Sequence, residues 1–412
     1  MNEAITVISG GITAPKGFRA AGLRAGIKPG KTNKDMAMVV SEVPCAAAGV
    51  FTRNLVKAAS VQWDTRQLEA HGVVRAVIVN TGIANACTGA QGYENAEKTA
   101  QAVAEEFGIS SEQVMVMSTG VIGPQLPMDV ILQGVKQFPS VLKEGEAAAH
   151  DAAEAILTTD THPKEIAVEF RIKGKTVRMA GMCKGSGMIH PNMGTMLGLI
   201  TTDAMITKDL LKKNLKEFVE DTFNMVSVDG DTSTNDSVIV LANGMAENDC
   251  LTEQDEDYTI FRQALRQVMT FLAQNIAADG EGATRLLEAR VVHADSKEQA
   301  KILAKAIITS NLTKAAVFGM DANWGRILCA MGYSGAVFDP DRVKIQISSE
   351  IGSITLVEQG MAVDYDEELA TRILSPKKVV ILADVESGDA EATAWGCDLT
   401  YEYVKINADY RS

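Results

Sequence analysis

From residue 181 to residue 204 the chain reads GMCKGSGMIHPNMGTMLGLITTDA, gathering glycines, one lysine, one histidine, one proline and several hydroxyls into a stretch with little charge. By composition alone this is a buried, glycine-rich turn entering a strand. Its chemistry would rest on two residues. Lys184 can meet a carboxylate, and the Thr195 hydroxyl becomes a nucleophile only with a base within hydrogen-bond reach. Other short segments concentrate hydroxyls, glycines or charge in the same way: STGVIG at 118–123, TTDTHPK at 158–164, DGDTSTND at 229–236 and DGEGATR at 279–285. Taken singly, the first reads as an ST-turn, and a lone Lys or Glu beside glycines reads as a solvated loop charge.

Several other chemistries are excluded by spacing. PGKT at 29–32 has the end of a phosphate-binding loop, but Ala25 stands where that pattern needs its first glycine. No HExxH, GxSxG or complete GxGxxG occurs. The histidines (His71, His150, His162, His190 and His293) lack ligand-like spacing and read as structural, so no metal site is expected. Asp229, Asp231 and Asp236 match part of a calcium loop without its Gly and Glu, and read as a hydrogen-bonded turn. The cysteines (Cys45, Cys87, Cys183, Cys250, Cys329 and Cys397) form no CxxC pair and read as inert core residues in a reducing compartment.

The elements that must hold these segments follow from periodicity. VVRAVIV at 73–79 is a buried strand running into the loop NTGIANACTG. Residues 94–107 form a helix with Ala96, Ala100, Val103 and Phe107 on one face and Gly108 as its stop. VMVM at 114–117 is a second strand, entering STGVIG. Thr207 caps a helix whose Leu211, Leu215, Phe218 and Thr222 share a side. DGDTSTND precedes the strand SVIVLANG, and a long helix covers 254–277. From 286 onward strand-forming segments alternate with helices such as SKEQAKILAKAIITS, which places a boundary near 285. Strand, glycine loop and helix in succession indicate an α/β architecture.

At 412 residues the chain can hold two or three domains. Its formal net charge of −14 argues against nucleic acid or an anionic membrane as partner, since both call for cationic surface. The first residues lack the layout of a secretory signal or transit peptide, and no apolar run approaches the length of a membrane span. A small metabolite in the cytoplasm is the expectation.

The order of residues in KGSGMIHPNMGTM closely resembles the processing site of the ornithine acetyltransferase family, also called glutamate N-acetyltransferase. The likeness continues, in order, through ITAPKGFRAAGLRAGIK, VNTGIANACTG, MSTGVIG, TTDTHPK, DGDTSTND, DGEGATR and the tail YVKINADYRS, from about residue 11 to the last. One position departs from it: Gly194 stands where the family usually has Ala before its threonine. Glycine tolerates strained backbone, so cleavage there stays feasible.

The resemblance implies self-cleavage between Gly194 and Thr195, giving chains of residues 1–194 and 195–412. Thr195 would then carry an acetyl group from N2-acetylornithine to glutamate in arginine biosynthesis. Thr119 and Gly120 would serve the oxyanion, and Thr161, Lys184, Thr195, Glu281, Asn407 and Ser412 would bind substrate. The fold it implies is a layered α/β/β/α sandwich with a smaller C-terminal α+β lobe from about 285. The implied assembly holds two copies of each chain, with no cofactor and with acetyl-CoA as a candidate second donor. Two rivals stay open: a self-cleaving aminopeptidase or amidase with the same nucleophile, and an uncleaved metabolite-binding paralogue.

Overall fold

The computed structural model describes residues 4–190, 196–253 and 256–409. The chain divides into two compact units. The first holds residues 1–185, 191–223 and 232–272; the second takes up 186–190, 224–231 and 273–412. The division falls at Ala273, inside the Glu256–Ala278 helix, rather than near 285. The helix continues through the boundary, so no glycine or change of periodicity marks it.

In the first unit nine strands make one mixed sheet, in which Lys164–Ile172, Lys175–Lys184, Leu197–Thr202, Ser237–Ala242, Met36–Phe51, Val73–Ile83 and Val114–Val121 lie side by side in that order. Along its strands the side chains alternate between two cores, as the two-residue period of a strand demands. Met36, Met38, Val40, Ala76, Ile78, Val114 and Val116 enter one core. There they meet Trp63, Ala96, Ala100, Val103, Ile131 and Phe138 from the helices on that face. Ala37, Val39, Val77, Val79, Met115 and Met117 enter the other, against Ala149, Ala152 and Ala153 of the Glu146–Ala155 helix. Burial on both faces explains why VVRAVIV shows no alternation of polar and apolar residues. The alanine-rich helix packs close: a Cβ on Gly22 would lie 1.9 Å from the Asp151 carbonyl oxygen.

The second unit is a seven-stranded sheet ordered Met361–Ala362, Gly352–Glu358, Lys344–Ser349, Lys378–Asp384, Leu286–Ala294, Ala390–Cys397 and Val226–Ser227. The Lys297–Thr309 helix lays Ala300, Leu303, Ala304, Ile307 and Ile308 inward. The short Val226–Ser227 strand closes one edge, parallel to Trp395–Gly396, and feeds directly into the DGD turn.

The expected helices are present with small changes of extent. One runs Gly89–Phe107 and ends at Gly108 in the left-handed conformation; another runs Lys208–Val219, with Thr207 accepting from the Leu210 amide at 3.4 Å. The two strands expected at 73–79 and 114–117 both continue into their glycine-rich ends, as Val73–Ile83 and Val114–Val121. Of the cysteines, Cys45, Cys183 and Cys397 are buried, whereas Cys87, Cys250 and Cys329 are exposed, contrary to a uniform core role. All six are free thiols.

Candidate active site

In the first unit the site begins at paired strand ends. Asn80 to Gly82 run beside Ser118 to Gly120, and the register breaks at Ile83. Gly120 has φ +131°, and a Cβ there would fall 2.2 Å from the Gly82 carbonyl carbon, so only glycine fits. Ser118 donates to Asn80 Oδ1 at 2.6 Å, and Asn80 Nδ2 donates to the Ile83 carbonyl at 2.9 Å. Asn235, from the loop DGDTSTND, donates through Nδ2 to the carbonyls of Ala84 (2.6 Å) and Ser118 (2.7 Å). Three loops remote in sequence thus converge on Thr119 and Gly120, both half-buried.

Lys28 lies against this turn, its side chain occupying the space over Gly82. Asp35 holds the loop that presents it, accepting from the amides of Ala25 (2.6 Å), Gly26 (2.9 Å) and Ile27 (2.7 Å). The Lys28 ammonium donates to the Leu157 carbonyl at 3.1 Å. Burial lowers its pKa and nearby Lys184 adds to that, against the pull of Asp35.

Asp160 organises the cations. Its side chain is fully buried, accepts from Lys164 Nζ at 2.7 Å and from the Gly185 amide at 2.8 Å, and lies 3.9 Å from Lys184 Nζ. Burial alone would raise its pKa, but Lys184 and Lys164 outweigh that and hold it at about 2. Lys184 is itself only 6% exposed. Thr161, next in the chain, is exposed, with its hydroxyl 3.0 Å from His162 Nδ1. Contacts therefore run from Thr119–Gly120 through Gly82 to Lys28, whose ammonium feels the charges of Lys184 and Asp160.

In the second unit a separate group of residues forms around Glu281. Glu281 is buried, and its Oε2 accepts from Asn407 Nδ2 at 2.7 Å, which fixes the Tyr401–Asp409 helix at that carboxylate. A Cβ on Gly187 would sit 2.4 Å from the same carboxylate, so this glycine lets the backbone lie over Glu281. Gly194, Thr195 and Ser412 fall outside the described residues. Four residues of the site carried too little signal to be singled out from sequence. Lys28 ends one quoted motif and Asp160 lies inside another, Asn235 reads as a turn residue, and Asp35 belongs to no motif.

Desolvated lysines and a carboxylate pulled far from its ordinary pKa are arrangements that proteins maintain at functional sites. Here they lie beside a turn held by side-chain amides at the strand ends of the first unit's sheet. Similarity identifies the class. The ArgJ family profile matches residues 19–412. The arginine biosynthesis bifunctional protein ArgJ of Symbiobacterium thermophilum is 52% identical over 98% of this chain and 99% of its own. The Bacillus subtilis protein of the same name is 45% identical over 100% and 98%. The crystal structure of Bacillus halodurans ArgJ aligns with TM-score 0.50 at 44% identity, over 52% of this chain and 98% of that one. The chain belongs to the ArgJ family, and is an enzyme of arginine biosynthesis.

Proposed function

We propose that the chain cuts its own Gly194–Thr195 bond and then uses Thr195 to move acetyl from N2-acetylornithine to glutamate. In the cut, the Thr195 hydroxyl oxygen adds to the Gly194 carbonyl carbon. The C–N bond breaks as the Thr195 nitrogen takes up the proton, leaving an ester. Water then adds to that ester, releasing the Gly194 carboxylate and restoring the hydroxyl beside a free α-amine. Such an amine titrates near ~7.7–8.0 and can take the hydroxyl proton at neutral pH.

Transfer then proceeds in two halves. The threonine oxygen adds to the acetyl carbonyl of acetylornithine, and ornithine departs with a proton. The glutamate amine next attacks the acetyl-threonine ester and regenerates the hydroxyl. Each half forms a tetrahedral oxyanion, for which Thr119 and Gly120 are the donors in this reading. Lys184 and Lys28 supply cationic partners for substrate carboxylates. Glu281 keeps acceptor capacity beyond Asn407 for a substrate ammonium. The covalent chemistry resides in threonine, so the reading requires no cofactor.

The observation that carries this reading is near-full-length identity of about half to proteins named arginine biosynthesis bifunctional protein. Acetyl-CoA is a candidate second donor in this reading. The matched Bacillus halodurans chain corresponds to 52% of 412 residues, about 214, which is the size of one cleavage product (412 − 194 = 218). The assembly in this reading is two copies of each product, in the cytoplasm.

The test is Thr195→Ala. It should yield one folded, uncut chain with transfer reduced at least ~10³-fold, because it deletes the nucleophile of both reactions. Product analysis of the wild type should show acetylglutamate whenever glutamate is supplied. Acetate alone would mean a hydrolase instead.

A further inference from the structure

The segment Ser186–His190 is held at every residue by groups of its own unit. The Ser186 carbonyl accepts from the Glu281 amide at 3.2 Å, and Gly187 lies over the Glu281 carboxylate. The amides of Met188 and Ile189 both donate to Asp229, at 2.7 and 2.9 Å. The Ile189 carbonyl accepts from the Val228 amide at 2.7 Å, and His190 Nδ1 lies 3.0 Å from Ser227 Oγ. Two non-glycine residues of this segment have left-handed backbone, Ser186 at φ +89° and Met188 at φ +55°. Conformations that cost about 1–3 kcal/mol each persist only where their surroundings over-determine them.

Asp229 is the centre of these contacts. Beyond the two amides it accepts from the Asp231 amide at 3.2 Å, which shapes its own turn. The Tyr403 phenol, on the helix that carries Asn407 to Glu281, also interacts with Asp229. Burial and the neighbouring carboxylates raise the Tyr403 pKa, so the phenol stays a donor at any working pH. Lys314, from the helix Asn311–Phe318, donates to the Val228 carbonyl and fixes the turn from its other side.

We propose that Asp229 is a positioning residue for self-cleavage, clamping Ser186–His190, the last described residues before the proposed Gly194–Thr195 cut. The inference rests on the cleavage reading above. Asp229 takes no proton and forms no bond in the reaction; it lowers the conformational freedom of the chain entering the scissile peptide. Misplacement of reacting groups by about 1 Å can cost ~10²-fold in rate. Loss of one carboxylate that fixes two consecutive amides should therefore be visible in the cleavage rate while leaving the sheets intact.

The experiment follows the appearance of the 195–412 fragment after synthesis of the full chain, for wild type, Asp229→Ala, Asp229→Asn and Tyr403→Phe. Asp229→Ala should slow cleavage roughly ten- to a hundredfold. Asp229→Asn keeps one acceptor oxygen and should restore part of the rate. Tyr403→Phe removes a single oxygen and should slow cleavage a few-fold. The same substitutions in the uncut Thr195→Ala chain should melt within a few degrees of it, which separates positioning from loss of fold. Wild-type cleavage rates in both Asp229→Asn and Tyr403→Phe would overturn the proposal. A wild-type chain that stays uncut would instead overturn the reading on which it rests.

Discussion

Asp160 holds two ammonium groups inside the first unit, and its removal should be felt at both. Its neighbours Lys164 and Lys184 have side chains 0% and 8% exposed, so Asp160→Asn takes a buried counter-charge away from both. Breaking a buried pair in this way costs about 3–5 kcal/mol. Urea unfolding at pH 7 should show a loss of that order, and KM for the proposed substrate acetylornithine should rise as Lys184, its proposed carboxylate partner, loses its orientation. An unchanged midpoint and KM would remove Asp160 from the site. The pH dependence follows from the same geometry. The folded-state pKa of about 2 lies below the ordinary 3.8, so the contribution of Asp160 is present above pH 3.8 and is lost as pH falls through about 2. The variant should lack that acid limb. From sequence, Lys184 was legible through the order of KGSGMIHPNMGTM, but Asp160 was not. An acid in TTDTHPK reads as solvated, and only folding brings Lys164 four residues on and Lys184 from another strand against it.

Strand ends were the least legible elements. NTGI and STGV contain the glycines that ordinarily mark loops, yet both continue as paired strand, with the register breaking beside Gly82 and Gly120. Local composition cannot report a pairing whose partner is some forty residues away. The helices were legible because their 3.6-residue period is local, down to Gly108 as a stop and Thr207 as a cap. The pairing at Gly120 has a sharp consequence. Gly120→Ala must place a Cβ against the Gly82 backbone at 2.2 Å and hold φ at +131°. Strain of this kind costs about 1–3 kcal/mol and shifts the turn itself. The melting temperature should fall by several degrees and, with Gly120 the oxyanion donor of the proposed mechanism, kcat by at least ~10²-fold. A variant with wild-type kcat and a lowered melting temperature would confine Gly120 to a structural role.

On the scale of the whole chain, the proposed cut before Thr195 does not coincide with the boundary of either unit. Residues 1–194 supply most strands of the nine-stranded sheet and also Ser186–His190 of the second unit. Residues 195–412 supply the rest of the second unit together with two interior strands of that first sheet. Leu197–Thr202 pairs antiparallel with Lys175–Lys184, and Ser237–Ala242 lies between it and Met36–Phe51. Both strands are buried at every residue. A product separated from its partner would expose those strand edges and the apolar faces of Leu197, Leu199, Ile239 and Leu241, all in one core with Val77 and Met115. Separation therefore demands unfolding of the first unit, and cleavage should relieve the constraint at one peptide bond without loosening the sheet. After complete processing, native mass spectrometry should find both fragments together at or above the mass of the uncut 44.0 kDa chain, while denaturing electrophoresis resolves two bands. Residues 195–412 produced alone should be insoluble or unfolded, and production together with 1–194 should restore solubility. Free fragments migrating separately under native conditions would mean that the central strands are not shared as the sheet order requires.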